Sequence, residues 1–165
     1  MSLILSRKSI RKFTTEGVDQ TSIDAMLTAA MQAPSARNQQ PWEFIVIKNK
    51  PMIDQLSEVS NGAKPLKSAP LAIMPVIKKD APAPHMCPQD LAAATQNILL
   101  TATELNLGAV WIGVFPLEDR IQKVREIIDL PSHLTPFCMI AIGHPDQSTE
   151  VTKLRYDASR ITVVE

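Results

Sequence analysis

Thirteen prolines against only five glycines divide this chain. Pro34, Pro41, Pro51, Pro65, Pro70, Pro75, Pro116, Pro131, Pro136 and Pro145 mark the ends of patterned stretches. Proline fixes φ and lacks an amide hydrogen, which keeps it out of helix interiors and the middle of paired strands. The chain is therefore read as short elements with stiff joints. Residues 21–32, with Ile23, Met26, Leu27 and Ala30 at helical spacing, predict a helix that Asp19 or Thr21 can cap. WEFIVIK at 42–48 predicts a buried strand, and 52–60 a short helix with Ile53, Leu56 and Val59 on one side. LAIMPVI at 71–77 predicts a strand whose Pro75 places it toward an edge or a bulge. After a loop at 80–89 comes a helix over 90–106, ended at Leu107-Gly108, whose apolar residues cover most of its circumference. Such a helix is expected to be buried all round, in a core or between subunits. AVWIGVF at 109–115 and FCMIAI at 137–142 predict strands, with an amphipathic helix over 117–129 between them. The tail from Asp146 has no helical period, and its ITVV must bury its apolar side chains somewhere, a second subunit included.

The alternation of helices and strands points to α/β or α+β with a central sheet and surrounding helices. At 165 residues and 45% hydrophobic content the chain fits one globular domain. Apolar runs too short for a bilayer, and basic residues that follow rather than precede the first apolar run, predict the cytoplasm. Two cysteines, Cys87 and Cys138, and three histidines, His85, His133 and His144, show no ligand spacing, so no metal site is expected. The formal net charge is zero. That argues against a surface built to attract nucleic acid or acidic membrane.

Against that neutrality, SRKSIRKF at 6–13 places Arg7, Lys8, Arg11 and Lys12 within six residues. A solvated basic face is one reading and a nucleic-acid patch another, although Phe13 alone is available for base stacking. A phosphate site is the third, because arginine forks match phosphate oxygens and Ser9 adds a hydroxyl. Lys153 and Arg155, at alternate positions in the tail, form a second basic cluster that favours the third reading. APSARNQQPW at 33–42 joins a helix to a strand, and offers Ser35 and Asn38 on a rigid loop between two prolines. Gln96 and Asn97 read as a buried polar pair satisfying backbone, and Trp42 and Trp111 as core or interface residues.

RKSIRKF, APSARNQQPWEFIVI, NGAK at 61–64, QDLAAATQNILL at 89–100, LGAVWIGVF at 107–115, IAIGHP at 140–145 and KLRYD at 153–157 stand in order along the chain. Together they resemble the FMN-dependent nitroreductase family. The resemblance implies an α+β fold: a three-layer α/β/α sandwich with a central mixed sheet, in an intertwined homodimer. Residues 1–165 would then be one FMN-binding domain, with 146–165 an extended tail packing on the partner. It also implies FMN at the dimer interface. Arg7 and Ser9, with Lys8 between them, would serve its phosphate and ribityl chain, Arg11 its N1/O2 edge, and Lys153 and Arg155 the remaining phosphate contacts. Pro34, Ser35 and Asn38 would reach it from the partner subunit. Asn61 and Lys64 would meet its pyrimidine edge, and Gly113 and Val114 would lie near N5. The implied activity is ping-pong hydride transfer from NADH or NADPH to a nitroaromatic, quinone or similar small acceptor, with no side-chain acid or nucleophile. Two further readings stand beside it: a flavin carrier or sensor without efficient turnover, and a non-flavin module for nucleic acid or an acidic partner. The family often has a second Ser where this chain has Ala36, and Gly-Gly or Glu-Gly where it has Gly113-Val114. Larger members also carry extra helices where this chain has only 78–90.

Overall fold

A computed structural model describes residues 2–150 and 155–165. Its helices are α1 (Leu3–Ser6), α2 (Gln20–Met31), α3 (Lys50–Leu56), α4 (Cys87–Glu104) and α5 (Glu118–Ile128). The strands are β1 (Trp42–Ile47), β2 (Leu71–Lys78), β3 (Gly108–Gly113), β4 (Leu134–Pro136) and β5 (Cys138–Gly143). The sheet order is β1-β2-β5-β3, with β4 pairing β2 beyond the end of β5. Every pairing between these strands is antiparallel. Among the described residues the parallel component of the expected mixed sheet is a single bridge, Ser9 to Ala109.

Alternate residues of each strand enter opposite cores, as period-two side-chain geometry requires. Ala72, Met74, Val76, Val110, Ile112, Met139 and Ala141 pack with Ile53 and Leu56 of α3 and Ile121 and Val124 of α5. Leu71, Ile73, Ile77, Ala109, Ile140 and Ile142 pack with Ile23, Met26 and Ala30 of α2 and Leu91, Ala94 and Ile98 of α4. Each fully buried Leu or Ile contributes about 1.5–3 kcal/mol. Three layers follow: α2 and α4, the sheet, then α3 and α5.

Pro75 proves to lie in an interior strand, paired with Phe44 of β1. It is tolerated because its carbonyl, which accepts from the Phe137 amide at 3.0 Å, faces the gap where β5 ends and β4 begins. The ring nitrogen faces that same gap, so no ladder bond is lost. Helix α4 starts at Cys87 rather than 90, since Pro88 fits the first turn. Its end is set by Asn106, not by Gly108. Asn106 has φ 59°, and the Leu107 and Asn106 amides donate to Ala102 and Thr103 carbonyls at 2.8 and 3.1 Å. This is the two-bond left-handed helix cap. Nor is α4 buried all round in the single protomer: Gln96 is exposed, and Ala92, Ala93 and Leu100 are half-buried. Asn97 donates to the Ala29 carbonyl at 2.8 Å, the backbone role expected of it. The tail forms no strand at 161–165, and Tyr156, Ile161, Val163 and Val164 stand exposed.

Candidate functional site

The basic N-terminal segment is fixed along the start of β3. Ser9 bridges Ala109, and the Ile10 amide donates to the Ala109 carbonyl at 3.0 Å. Ile10 and Phe13 enter the core at 3% and 5% exposure, anchoring the residues between. Two glycines permit the approach. A Cβ on Gly108 would lie 2.6 Å from Ile10 Cγ2, and one on Gly143 would lie 2.6 Å from Pro70 Cδ and 3.2 Å from Phe13 Cβ. Alternation sets Ile10 inward and its neighbours outward. Arg7 is left half-buried and Arg11 exposed. Among the described residues neither guanidinium has a hydrogen-bond or ion-pair partner. A half-buried guanidinium without an acceptor is unfavourable unless a ligand supplies one.

The chain beyond β5 runs back along this segment. Thr14 and Asp146 amides donate to His144 and Lys12 carbonyls, and Gln147 Oε1 accepts from Arg11 and Lys12 amides at 2.8 and 3.1 Å. Lys8 Nζ donates to Ser148 and Glu150 carbonyls at 3.1 and 3.0 Å, so its charge is directed to this strap. The strap leads the chain toward the second basic cluster. Arg155 is exposed, and Lys153 lies outside the described residues.

The 33–41 loop sits elsewhere, at the first turn of α4. Pro34 is exposed, and Ser35 is extended ahead of a short 3-10 turn at Ala36–Asn38. Ser35 Oγ accepts from the Gln40 amide at 3.0 Å, and Asn38 Oδ1 accepts from Gln40 Nε2 at 3.0 Å. Both side chains therefore spend acceptors inside the loop and keep donors for a ligand. Arg37, Asn38 and Gln40 hold φ of 54°, 53° and 45°. Left-handed backbone in non-glycine residues costs on the order of 1 kcal/mol or more each, and it clusters at binding sites. Two residues that the sequence reading missed, Asp90 and Gln39, hold this loop. Asp90 was hidden inside an apolar helical pattern, and only its pairing across 54 positions identifies it.

The other expected site residues divide. Asn61 begins a 3-10 helix, Asn61–Ser68, and is exposed. Lys64 there donates to Glu58 and holds that carboxyl below its ordinary value. Gly113 ends β3 with open space beside it, and its carbonyl accepts from Arg120 at 2.9 Å. Val114 is buried, and among the described residues its amide takes no acceptor, whereas the Phe115 amide donates to Phe137. Among the described residues no group of His, Cys, Asp and Glu could hold a metal ion. No described helix is long and apolar enough to cross a membrane.

The family model described as "Nitroreductase family" matches residues 4–79 and 63–144. The chain belongs to the nitroreductase family. A candidate NADH dehydrogenase/NAD(P)H nitroreductase of Methanothermobacter thermautotrophicus is 40% identical to it over 162 residues, 98% of this chain and 84% of the relative. Among nitroreductase-like solved structures, a candidate NADH oxidase from Clostridium acetobutylicum superposes with a TM-score of 0.95 at 44% identity, covering 99% of both chains. A candidate nitroreductase from Desulfovibrio desulfuricans, solved in complex with FMN, superposes at 0.84 with 30% identity, covering 99% of this chain and 95% of its own. The α+β nitroreductase fold expected from the motifs is thus the fold found.

Proposed function

We propose that this chain is an FMN-dependent NAD(P)H oxidoreductase that works as a homodimer. The carrying observation is the pair Arg7 and Arg11: two cations of a neutral chain, fixed on one anchored segment and left without acceptors among the described residues. The FMN complex of the Desulfovibrio relative supports the identity of the ligand. When bound, FMN supplies hydride transfer between a nicotinamide and a small acceptor.

The remaining work belongs to the protein. Arg7 and Ser9, with Lys153 and Arg155, would hold the phosphate by charge-assisted hydrogen bonds. Arg11 would face the pyrimidine edge, where a fixed positive charge favours electron uptake. Ser35 and Asn38 carry free donors for that same acceptor-rich edge. The amide of Val114 and the open space at Gly113 would lie against the ring. Asn61 would add a polar contact, and Lys64 would do so by leaving Glu58.

The two halves of this set lie at opposite ends of α4. Ser9 pairs with Ala109, just past its C-terminus, whereas Ala36 binds Asp90 in its first turn. Fourteen helical residues between Asp90 and Glu104 rise about 20 Å. A second copy with α4 antiparallel would set the loop of one chain beside the cations of the other. The open stripe of Ala92, Ala93, Gln96 and Leu100 and the exposed apolar tail are the surfaces left for that copy.

The test is the colour of the purified protein and its titration with NADH and NADPH under argon. A yellow protein that bleaches rapidly, with reoxidation by quinone or nitroaromatic, is expected. A yellow protein that bleaches slowly is a carrier or sensor, and one that binds no FMN overturns the proposal.

A further inference from the structure

Asp90 is buried at 5% exposure, and among the described residues no cation pairs with it. Its Oδ1 accepts from the Ala36 amide at 2.9 Å, and its Oδ2 accepts from Gln39 Nε2 at 2.6 Å. Gln39 then closes on Ala83 in both directions. Its Oε1 accepts from the Ala83 amide at 2.8 Å, and its Nε2 donates to the Ala83 carbonyl at 3.1 Å. One carboxylate and one carboxamide thereby join three separated pieces of chain: the first turn of α4, the 33–41 loop and the 79–86 segment.

Stability alone does not call for an ion here. A buried carboxylate is costly to desolvate, and an apolar pair of similar volume commonly does as well or better. What the polar pair supplies is geometry, because its bonds are short, directional and all satisfied. The residues it grips bracket the left-handed turn at Arg37, Asn38 and Gln40. Such a backbone persists only where its surroundings hold it. The helix N-terminus lends the carboxylate a favourable field.

We propose that Asp90 and Gln39 are positioning residues: they hold residues 35–40 in the conformation that aims the Ser35 and Asn38 donors at the cofactor, and they tie that loop to 79–86 so that both move together. The proposal rests on the FMN reading above. Gln39 and Asp90 act through Ser35 and Asn38 and need not touch the ligand.

Three variants test it. Asp90→Asn keeps the Ala36 bond but sets two amide nitrogens against each other at Gln39. The double variant Asp90→Asn with Gln39→Glu restores one donor and one acceptor with polarity reversed. Gln39→Met keeps volume and the Asp90–Ala36 bond, and serves where Asp90→Asn does not fold. FMN affinity is measured by fluorescence titration, and the visible circular dichroism of bound flavin reports how the ring is held. Asp90→Asn and Gln39→Met are expected to bind FMN about tenfold more weakly, the scale of one lost charge-assisted bond, with an altered visible dichroism band. The double variant is expected to recover most of that loss. Wild-type affinity and wild-type dichroism in the single variants overturn the proposal, as does a double variant no better than its singles combined. A wild-type protein that binds no FMN overturns the underlying reading instead, so the two failures are separable.

Discussion

Substituting Gly108 tests how the N-terminal segment is held. No glycine among the described residues has a positive φ, so Gly108 is needed for space alone. An added methyl would lie 2.6 Å from Ile10 Cγ2, 2.7 Å from its Cβ and 3.0 Å from its Cγ1. Carbon contacts are favourable from about 3.5 Å, so Ile10 must retreat by about 1 Å. No rotamer relieves this, because the branch point itself collides. The retreat stretches the 3.0 Å bond from the Ile10 amide to Ala109 beyond hydrogen-bonding distance. Losing that bond costs about 1 kcal/mol and the overpacking about 1–3, so Gly108→Ala is expected to destabilise by about 2–4 kcal/mol. Urea unfolding reads it directly, and amide exchange at Ile10 should accelerate. Arg7, Ser9 and Arg11 ride on the same segment, so FMN affinity should fall with stability. Gly17→Ala, where a Cβ meets nothing within 4 Å, is the control. A Gly108→Ala midpoint equal to that of Gly17→Ala would refute the close approach on which the segment's placement depends.

Three further outcomes are expected. Arg7→Ala combined with Arg155→Ala should release FMN, a loss of about 3 kcal/mol or more if both charge-assisted contacts form; equilibrium dialysis measures it, and full retention removes the phosphate assignment. Asp19 caps α2 by accepting from the Ser22 amide and hydroxyl at 2.9 and 2.6 Å, and these bonds lower its pKa. Because the folded value lies below the unfolded one of about 3.9, its contribution is present above that pH and fades as pH falls through the folded value. Asp19→Ala should therefore flatten the acid limb of the stability profile, and an unchanged limb counts against the cap. Burial pushes the Cys138 thiol up to about 12 and raises Cys87 as well, so Ellman's reagent at pH 8 should find neither thiol until denaturant is added.

The layers were legible because strand and helix periods were clean: WEFIVIK, LAIMPVI and FCMIAI became β1, β2 and β5 almost where the pattern put them. What failed had nonlocal causes. Pro75 argued for an edge because a proline removes a ladder bond, yet the interruption between β4 and β5 meant that no bond was there to remove. Gly108 looked like a helix cap because glycine often is one. The cap fell to Asn106, and the glycine answered instead to Ile10, nearly a hundred residues earlier. Neither contact leaves a mark on local sequence.

The site shows the same division. Arg7 and Arg11 stood out because charge concentrated in a neutral chain is visible without coordinates. Lys8 stood out equally, and only the strap carbonyls of Ser148 and Glu150 explain its different use. Asp90 did not stand out at all. An acid in the first turn of a helix is common, favoured by the dipole whether or not it does anything else. Its significance lies in being buried, in lacking a cation, and in reaching a loop 54 positions away. Sequence exposes residues that meet a ligand through their charge. The residues that orient those contacts are fixed by tertiary pairing, and so become visible only once the fold brings their partners to them.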